Sequence, residues 1–115
     1  MPDDLLKVVT DATFADDVLT SSTPVLVDFW AEWCPPCGPM ARLLAELAPS
    51  FSGRVTFAKM DADSNPETVR AYRVQAMPTL ILFKDGRPIS TTVGLRPKSV
   101  IRSGLEGSLE PYVNR

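Results

Sequence analysis

The chain has 115 residues, of which 44% are hydrophobic and 23% charged, and this length and composition are typical of one globular domain. We therefore expect a single domain that covers residues 1–115. The formal net charge is −2, with acidic and basic residues spread along the chain, which argues against the basic patch that nucleic-acid binding needs.

The first residues predict where the protein is found. The segment Met1–Asp4 lacks both the positive charge and the apolar stretch of a secretory signal peptide. No apolar run approaches the roughly 18 residues that would cross a membrane. We therefore expect a cytoplasmic protein that has no membrane partner.

The first half of the chain alternates strand and helix patterns. Leu5–Val9 is apolar and predicts a short strand, after which Thr10 or Asp11 is suited to cap a helix. The nearly continuous apolar run Val25–Trp30 predicts a strand covered on both faces, and residues 34 to about 50 have helical spacing. The residues expected to face the core in these two helices are Phe14, Val18, Leu19, Met40, Leu43, Leu44 and Leu47.

The next segments add a strand and a short helix. Val55–Met60 is apolar and predicts another core strand. Asn65 and Pro66 suit the start of a helix that ends near Tyr72, because proline is favoured in the first helical turn.

The last third of the chain predicts a hairpin followed by a helix. Asp85-Gly86 joins predicted strands at 79–84 and 88–93, and this dipeptide is a strong signal for an antiparallel hairpin. Pro97 begins the last helix, whose apolar stripe consists of Val100, Ile101, Leu105 and Leu109. The order β-α-β-α-β-α-β-β-α predicts an α/β fold with a mixed sheet.

Two cysteines, Cys34 and Cys37, follow a predicted core strand and begin a predicted helix. The start of a helix carries unpaired backbone N–H groups and a partial positive charge, and both favour a thiolate over a thiol. A thiolate is the species that attacks disulfides, and a second cysteine one turn on can resolve the mixed disulfide. The C-x-x-C spacing near a β-α-β pattern therefore predicts disulfide exchange.

The rest of the composition limits what else these cysteines can do. The chain has no further cysteine and no histidine, so one chain cannot supply the four ligands of a tetrahedral zinc site. The absence of histidine also excludes a Cys-His protease. We expect no metal site within one chain, and the alternatives to a redox pair are a metal shared by two chains or buried structural thiols.

Asp28 interrupts the apolar run of its predicted strand. A carboxylate on a strand buried on both faces is costly unless it is paired or protonated. Asp28 is therefore a candidate general base for the Cys37 thiol, directly or through water, with a pKa raised by burial. Lys59 on the neighbouring strand is its candidate counter-charge. The alternatives are a solvated Asp28 at a sheet edge and a solvated Lys59 at a strand end.

Two further positions are candidates for contact with a partner. Trp33 precedes the first cysteine, and we expect it to be partly exposed and to offer an apolar contact, with core packing as the alternative. Pro78 follows Met77 at the entrance of a strand. Because only about 5% of X–Pro bonds in folded proteins are cis, the residues alone favour a trans bond here.

Taken together, these motifs resemble the thioredoxin family. The matching segments follow the family's order across essentially the whole chain: Val27–Ala31, Trp33–Cys37, Lys59 with Asp61, Met77–Thr79, Lys84–Gly86 and Val93-Gly94. The resemblance implies the thioredoxin fold, an α/β architecture with a central mixed sheet of about five strands flanked by about four helices.

The resemblance also implies a role for each site residue. Cys34 would be the nucleophile and Cys37 the resolving thiol. Asp28 and Lys59 would form the buried pair that handles the proton. Pro78 would be the cis-proline of the family, facing the disulfide. The surface that docks substrate chains would consist of Trp33, Met77, Pro78, Val93 and Gly94.

The activity that the resemblance implies is reduction of protein disulfides, with electrons from NADPH delivered by a thioredoxin reductase and no bound cofactor. We expect a monomer, because nothing in the sequence signals a large apolar surface. A specialised oxidant, an isomerase or a reductant of one dedicated partner is the alternative within the fold. A non-catalytic binding module is the alternative outside redox chemistry.

Three departures from the family pattern concern redox tuning and the helix. Pro35 and Pro36 fill positions where the family usually has Gly and then Pro, and Pro35 has no N–H to offer the Cys34 sulfur. Gly38 stands where the family often has Lys or Arg, so a positive charge is missing. Both changes predict a Cys34 pKa above that of a typical member.

The third departure lies further along the same helix. Arg42 occupies the position of the family's kinking proline, and Pro39 comes earlier. In a helix that begins at Cys34, the N–H that Pro39 lacks would have paired with the Pro35 carbonyl. We therefore predict a disturbed first turn at Pro39 and a straighter helix beyond it.

Overall fold

The architecture is a mixed sheet of five strands with helices on both faces, seen in a computed structural model that describes residues 5–109. The strands are β1 (Lys7–Val8), β2 (Val25–Trp30), β3 (Thr56–Asp61), β4 (Thr79–Lys84) and β5 (Arg87–Val93). Their order across the sheet is β1-β3-β2-β4-β5. The first three are parallel to one another, and β4 is antiparallel to both β2 and β5. The predicted mixed sheet and α/β class are confirmed.

Five helical segments within residues 5–109 connect or flank these strands. The first is a π-helical turn at Ala15–Leu19, and the long helix α1 runs from Cys37 to Leu47 before a 3₁₀ turn at Ala48–Phe51. The short helix α2 covers Pro66–Ala71, close to its predicted bounds, and α3 covers Lys98–Leu109. The predicted alternation of strands and helices is therefore confirmed.

The sheet separates two clusters of buried side chains. Side chains alternate along β2, so that Val27 and Phe29 join one cluster and Leu26 joins the other. Asp28 has the same parity as Leu26 and therefore lies on the face that α1 and α3 cover. The cluster on that face includes Leu26, Met40, Leu44, Leu47, Phe51, Phe57, Leu82, Ile101 and Leu105. The cluster on the opposite face includes Phe14, Val18, Val25, Val27, Phe29, Met60, Val74, Ile81 and Phe83.

The hairpin between β4 and β5 forms as predicted. Asp85 and Gly86 have φ angles of 54° and 79°, the positive values that a tight type I′ turn needs at both central positions. A bulge follows, because Leu82 pairs with Ser90 while Phe83 pairs with Pro88 and leaves Ile89 unpaired. Pro88 is tolerated there, since β5 is an edge strand.

Two boundaries differ from the sequence prediction. The strand expected over Leu5–Val9 is regular only at Lys7–Val8, because β1 lies at the edge of the sheet and pairs with β3 alone. In α3, Ile101 and Leu105 are buried as predicted, whereas Val100 is half exposed. Ile101 and Leu105 are four residues apart and therefore lie on the same face of the helix, whereas Val100 lies at the margin of that face.

Thr10 makes capping bonds at the turn that leads into the first helical segment. Its hydroxyl accepts a hydrogen bond from the Thr13 N–H, and the Thr13 hydroxyl accepts one from the Thr10 N–H. The π-helical turn that follows has no side-chain cap of its own, and Asp11 acts elsewhere. The Asp11 carboxylate accepts hydrogen bonds from the backbone N–H groups of Glu67 and Thr68 and from the Thr68 hydroxyl. Asp11 therefore caps α2, a helix more than fifty residues away in the chain.

The predicted start of α1 at Cys34 is wrong. The helix begins at Cys37, and its first backbone bond runs from the Met40 N–H to the Pro36 carbonyl. Pro39 therefore lies in the first turn, where backbone N–H groups have no partner within the helix. Its missing N–H disturbs nothing there, and α1 continues without interruption to Leu47.

We predict that replacing Asp11 with Ala lowers the free energy of unfolding by about 1 kcal/mol, the usual cost of a lost N-terminal cap. Burial opposes ionisation, but hydrogen bonds from Thr68 and Glu67 hold the pKa of Asp11 below its usual value of 3.8. The stabilisation is therefore present above that value and lost as the pH falls through the lowered pKa. Urea unfolding at neutral and acid pH measures both effects.

The matched control for this experiment is Asp16→Ala, since Asp16 is exposed and its side chain makes no described hydrogen bond. An equal loss of stability in the two variants would contradict the capping role of Asp11.

Candidate active site

The centre of the candidate site is a disulfide between Cys34 and Cys37, whose Cα atoms are 5.4 Å apart. Both cysteines are nearly buried, with exposed fractions of 6% and 5%. They pack with Ala31 in a small cluster that Trp30 and Met77 also contact. The geometry shows that the two thiols are close enough to form a bond with each other.

The turn between the cysteines is poor in backbone donors. Pro35, Pro36 and Pro39 have no N–H, and Pro36 occupies the N-cap position of α1. The Cys37 N–H donates to the Cys34 carbonyl at 3.1 Å. Gly38 is therefore the residue of this first turn that has an N–H not used in a described backbone hydrogen bond. The shortage of backbone donors follows from the prolines of the Cys-Pro-Pro-Cys sequence. The predicted helix start at Cys34 did not reveal it, because the helix begins at Cys37.

Asp28 lies near the end of β2 and shares a cleft with Cys37 and Gly38 at the start of α1. It is 1% exposed, and neither of its carboxylate oxygens has a hydrogen-bond partner within residues 5–109. Burial raises the pKa of Asp28 to about 7, although the charge of Lys59 acts in the opposite direction. Asp28 can therefore hold or release a proton near neutral pH, which is the property of a general acid or base.

A cleft of about 350 Å³ brings several of the predicted residues together. Lys59 pairs with Asp28 in the register of β2 and β3, and both line this cleft. Both cysteines line it as well, so the buried carboxyl and the disulfide share one cavity. Gly38 lies at its margin, where a side chain would find open space except for the Arg42 guanidinium at 3.8 Å. The remaining residues around the cleft are Trp30, Ala31, Glu32, Pro35 and Ala41.

Four of the predicted docking residues lie where β4 begins and β5 ends: Met77, Pro78, Val93 and Gly94. The bond between Met77 and Pro78 is cis, as the family resemblance implied and the residues alone did not. The Gly94 N–H donates to the Pro78 carbonyl at 2.8 Å, and Val93 pairs with Thr79 across β5 and β4. These contacts bring Pro78, Val93 and Gly94 to one place, while Met77 contacts the cysteine cluster.

Trp33 is 63% exposed, as the sequence predicted. Its indole N–H donates to the Asp63 carboxylate at 2.8 Å, and this bond fixes the ring at the surface. Sequence reasoning missed Asp63. It follows β3 as Trp33 follows β2, and the parallel pairing of these strands brings the two loops to the same edge of the sheet. The predicted strands could have revealed the contact between Asp63 and Trp33, because parallel strands end at the same edge of a sheet.

Residues 5–109 contain neither a metal-binding cluster nor a membrane-spanning helix. No group of three or more Cys, His, Asp and Glu side chains in this range is placed to hold a metal ion. No helix in the same range is both long and apolar enough to cross a membrane.

We predict that Asp28→Asn changes how stability depends on pH. In the unfolded chain Asp28 loses its proton near pH 3.8, whereas in the folded chain it keeps the proton up to about pH 7. The stability of the parent chain therefore falls as the pH rises between these two values. The shift corresponds to a loss on the order of 4 kcal/mol, which the asparagine variant does not suffer.

The measurement is urea unfolding of the oxidised chain at pH 4, 6 and 8, with Asp16→Asn at an exposed position as the control. Any fixed cost of burying the amide is the same at each pH and cancels when the three values are compared. Parallel stability profiles of the parent and Asp28→Asn would contradict the raised pKa.

Comparison with known proteins places the chain in a family. The family model described as Thioredoxin matches residues 5–107. The Thioredoxin of Mycobacterium tuberculosis is 54% identical over 93 residues, which cover 81% of this chain and 80% of the relative. The Thioredoxin of Rhodospirillum rubrum is 45% identical over 104 residues, with 90% and 100% covered. A Bifunctional thioredoxin reductase/thioredoxin of Mycobacterium leprae is 48% identical over 97 residues, covering 84% of this chain and 21% of that protein. These matches, together with the disulfide between Cys34 and Cys37 at the start of α1, show that the chain belongs to the thioredoxin family of protein-disulfide oxidoreductases.

Proposed function

We propose that this chain reduces disulfides in other proteins, with Cys34 as the attacking thiol and Cys37 as the resolving thiol. The observation that carries the proposal is the shared cleft, which holds the disulfide and a buried carboxyl group that titrates near neutral pH. A structural disulfide has no need of such a group next to it.

The reaction proceeds in two exchanges. The Cys34 thiolate attacks one sulfur of the substrate disulfide, the substrate S–S bond breaks, and a mixed disulfide forms while one substrate thiolate leaves. The Cys37 thiolate then attacks the Cys34 sulfur, which releases the second substrate thiolate and leaves Cys34 and Cys37 oxidised. The substrate gains two electrons, and the two leaving thiolates take up two protons.

Asp28 supplies the base for the second exchange in this proposal. Cys37 is nearly buried and must lose a proton before it can attack, and a carboxylate in the same cleft can accept that proton directly or through water. Lys59 carries the positive charge that favours the ionised carboxylate. The proton then leaves through the open side of the cleft.

The docking surface in this proposal consists of Trp33, Met77, Pro78, Val93 and Gly94. Trp33 and Val93 present exposed apolar area, and Met77 lies against the cysteine cluster. A substrate segment bound here would bring its disulfide to the Cys34 sulfur and exclude water from the reacting atoms.

The electrons that restore the dithiol come, in this proposal, from NADPH through a thioredoxin reductase. The similarity to a protein whose name combines the two activities supports such a partner. The chain itself needs no bound cofactor, because the electron pair resides in the two thiols. We further propose that the chain is a single domain over residues 1–115, works as a monomer and acts in the reducing environment of the cytoplasm.

Substitution of each cysteine tests the assigned roles. We predict that Cys37→Ser accumulates a stable mixed disulfide with a protein substrate, because nothing remains to attack the Cys34 sulfur. Cys34→Ser forms no such adduct, because the attacking thiol is absent. Non-reducing electrophoresis after incubation with a disulfide-bonded protein, such as insulin, distinguishes the two.

Asp28→Asn serves as a third variant in this assay. It still forms the mixed disulfide but resolves it more slowly than the parent, most clearly near and above pH 7. Adducts that form at Cys37 in the Cys34→Ser chain would show that the roles are reversed.

The Pro35 and Gly38 substitutions test the tuning of the nucleophile. We predict that Pro35→Gly, which restores a backbone N–H, and Gly38→Lys, which adds a positive charge at the cleft, each lower the pKa of Cys34. The pH dependence of Cys34 alkylation in the reduced chain measures this change. Gly104→Lys is the matched control, since Gly104 lies on the exposed side of α3.

An unchanged alkylation profile in both variants would contradict the tuning. The reduction potential of the Cys34–Cys37 pair, measured in the same variants, reports the consequence for function. A potential of about −270 mV, the value typical of thioredoxin, would support the reductase function. A potential of about −180 to −120 mV would indicate an isomerase or an oxidant.

A further inference from the structure

The sheet topology brings five loops to the edge that carries the disulfide. β1, β2 and β3 are parallel and end at this edge, β4 begins there, and β5 ends there because it is antiparallel to β4. The order along the edge is therefore the end of β1, the end of β3, the end of β2, the start of β4 and the end of β5. The cysteines follow β2, near the middle of this row.

Acidic side chains lie toward one end of the row. Asp63 follows β3 and holds the Trp33 indole with its carboxylate, and Glu32 is exposed directly after β2. Asp61 ends β3, and its carboxylate accepts hydrogen bonds from the Asp63 N–H and the Ser64 hydroxyl. Two cations lie at the cleft that Glu32 lines: Lys59, whose charge acts on Asp28, and Arg42, whose guanidinium is 3.8 Å from the position that a Cβ on Gly38 would occupy.

Basic side chains lie at the other end. Arg96 follows β5, and its Nη1 atom donates to the Leu95 carbonyl and lies 3.3 Å from the position that a Cβ on Gly94 would occupy. Arg73 is exposed in the loop before β4. The sequence contains no acidic residue between Glu67 and Asp85, or between Asp85 and Glu106, so no carboxylate from these loops offsets the two arginines.

The distance between the two charged ends suits an extended peptide. Neighbouring strands are about 4.8 Å apart, so the three steps from β3 to β5 span roughly 14 Å, or about four extended residues. A peptide that crosses this edge with its cysteine over the disulfide has side chains on one flank near Arg96 and Arg73. The side chains of its other flank lie near Glu32 and Asp63.

We propose that the preferred substrates of this chain are disulfides whose flanking charges are divided, acidic on the flank that lies over Arg96 and Arg73 and basic on the flank over Glu32 and Asp63. The inference rests on the proposed reductase function, and it adds a class of substrate to it. The preference depends on where the charges lie and not on the net charge of the chain, which is only −2.

Two synthetic peptides of identical composition provide the test. One has two aspartates before a single cysteine and two lysines after it, and the other has the reverse arrangement. Each is used as its disulfide-linked homodimer and mixed with the chain in its reduced form. The chain becomes oxidised while each dimer yields two peptide thiols, so the rate of thiol release measures recognition.

We expect one arrangement to react about two- to fivefold faster for each charged flank that is matched, the usual range for exposed ion pairs. Which arrangement is faster reports the direction in which the peptide crosses the edge. The ratio should shrink toward one at high salt, because exposed charges are then screened. Arg96→Glu should reduce or invert the ratio, and Glu32→Lys should do so independently.

The matched control is Arg87→Glu, which makes the same charge change at the other end of β5. Equal rates for the two peptides, or a ratio that Arg87→Glu alters as much as Arg96→Glu does, would overturn the inference while leaving the reductase function intact. If neither peptide dimer is reduced, the proposed function fails and the inference fails with it.

Discussion

The site depends on the burial of β2 on both of its faces. β2 pairs with β3 on one side and β4 on the other, and α1 and the π-helical turn cover its two faces. Five of its six residues are fully buried, and one of these is Asp28. The strand cannot be solvated without dismantling the sheet, so the carboxyl group is held away from water. Its raised pKa is therefore a property of the whole architecture and not of a local contact.

The same strand also places the disulfide. β2 ends at Trp30, and the chain turns back over the sheet into α1, so the cysteines lie above the carboxyl end of the strand that contains Asp28. Because side chains alternate along a strand, Asp28 is on the face that α1 covers. A shift of one residue in β2 would move the carboxyl group to the opposite face, away from Cys37. The register of β2 thus places the Asp28 carboxyl group in the same cleft as Cys37.

The proline-rich turn leaves the start of α1 with few backbone donors for an anion. Residues 35–39 contain three prolines, and the N–H of Cys37 is already used by the Cys34 carbonyl. A helix start normally offers several free donors, whereas this one offers Gly38. In exchange, the prolines restrict the unfolded chain and fix the turn, which lowers the entropy cost of holding the two cysteines 5.4 Å apart.

Much of the fold follows from local signals that act within a few residues. The apolar run of β2, the Asp85-Gly86 turn and the spacing of Leu44, Leu47, Ile101 and Leu105 each specify an element and its buried face. The features that sequence reasoning missed depend on partners far along the chain. Asp11 caps α2 because the fold brings that helix to it, and Asp63 reaches Trp33 because β2 and β3 end together. The cis bond between Met77 and Pro78 was predicted only by the family resemblance, since the residues alone favoured a trans bond.

The topology that hides these contacts from sequence analysis also determines the charge pattern around the disulfide. Glu32 and Arg96 are sixty-four positions apart, yet both lie at one edge of the sheet because β5 reverses direction after β4. The core needs none of these charges, since they follow the strands and are exposed. In the proposed mechanism the chemistry belongs to the buried residues Asp28, Cys34 and Cys37, which line one cleft. In the proposed substrate preference the selection belongs to the loops beyond the strand ends, whose charges can change without cost to the sheet.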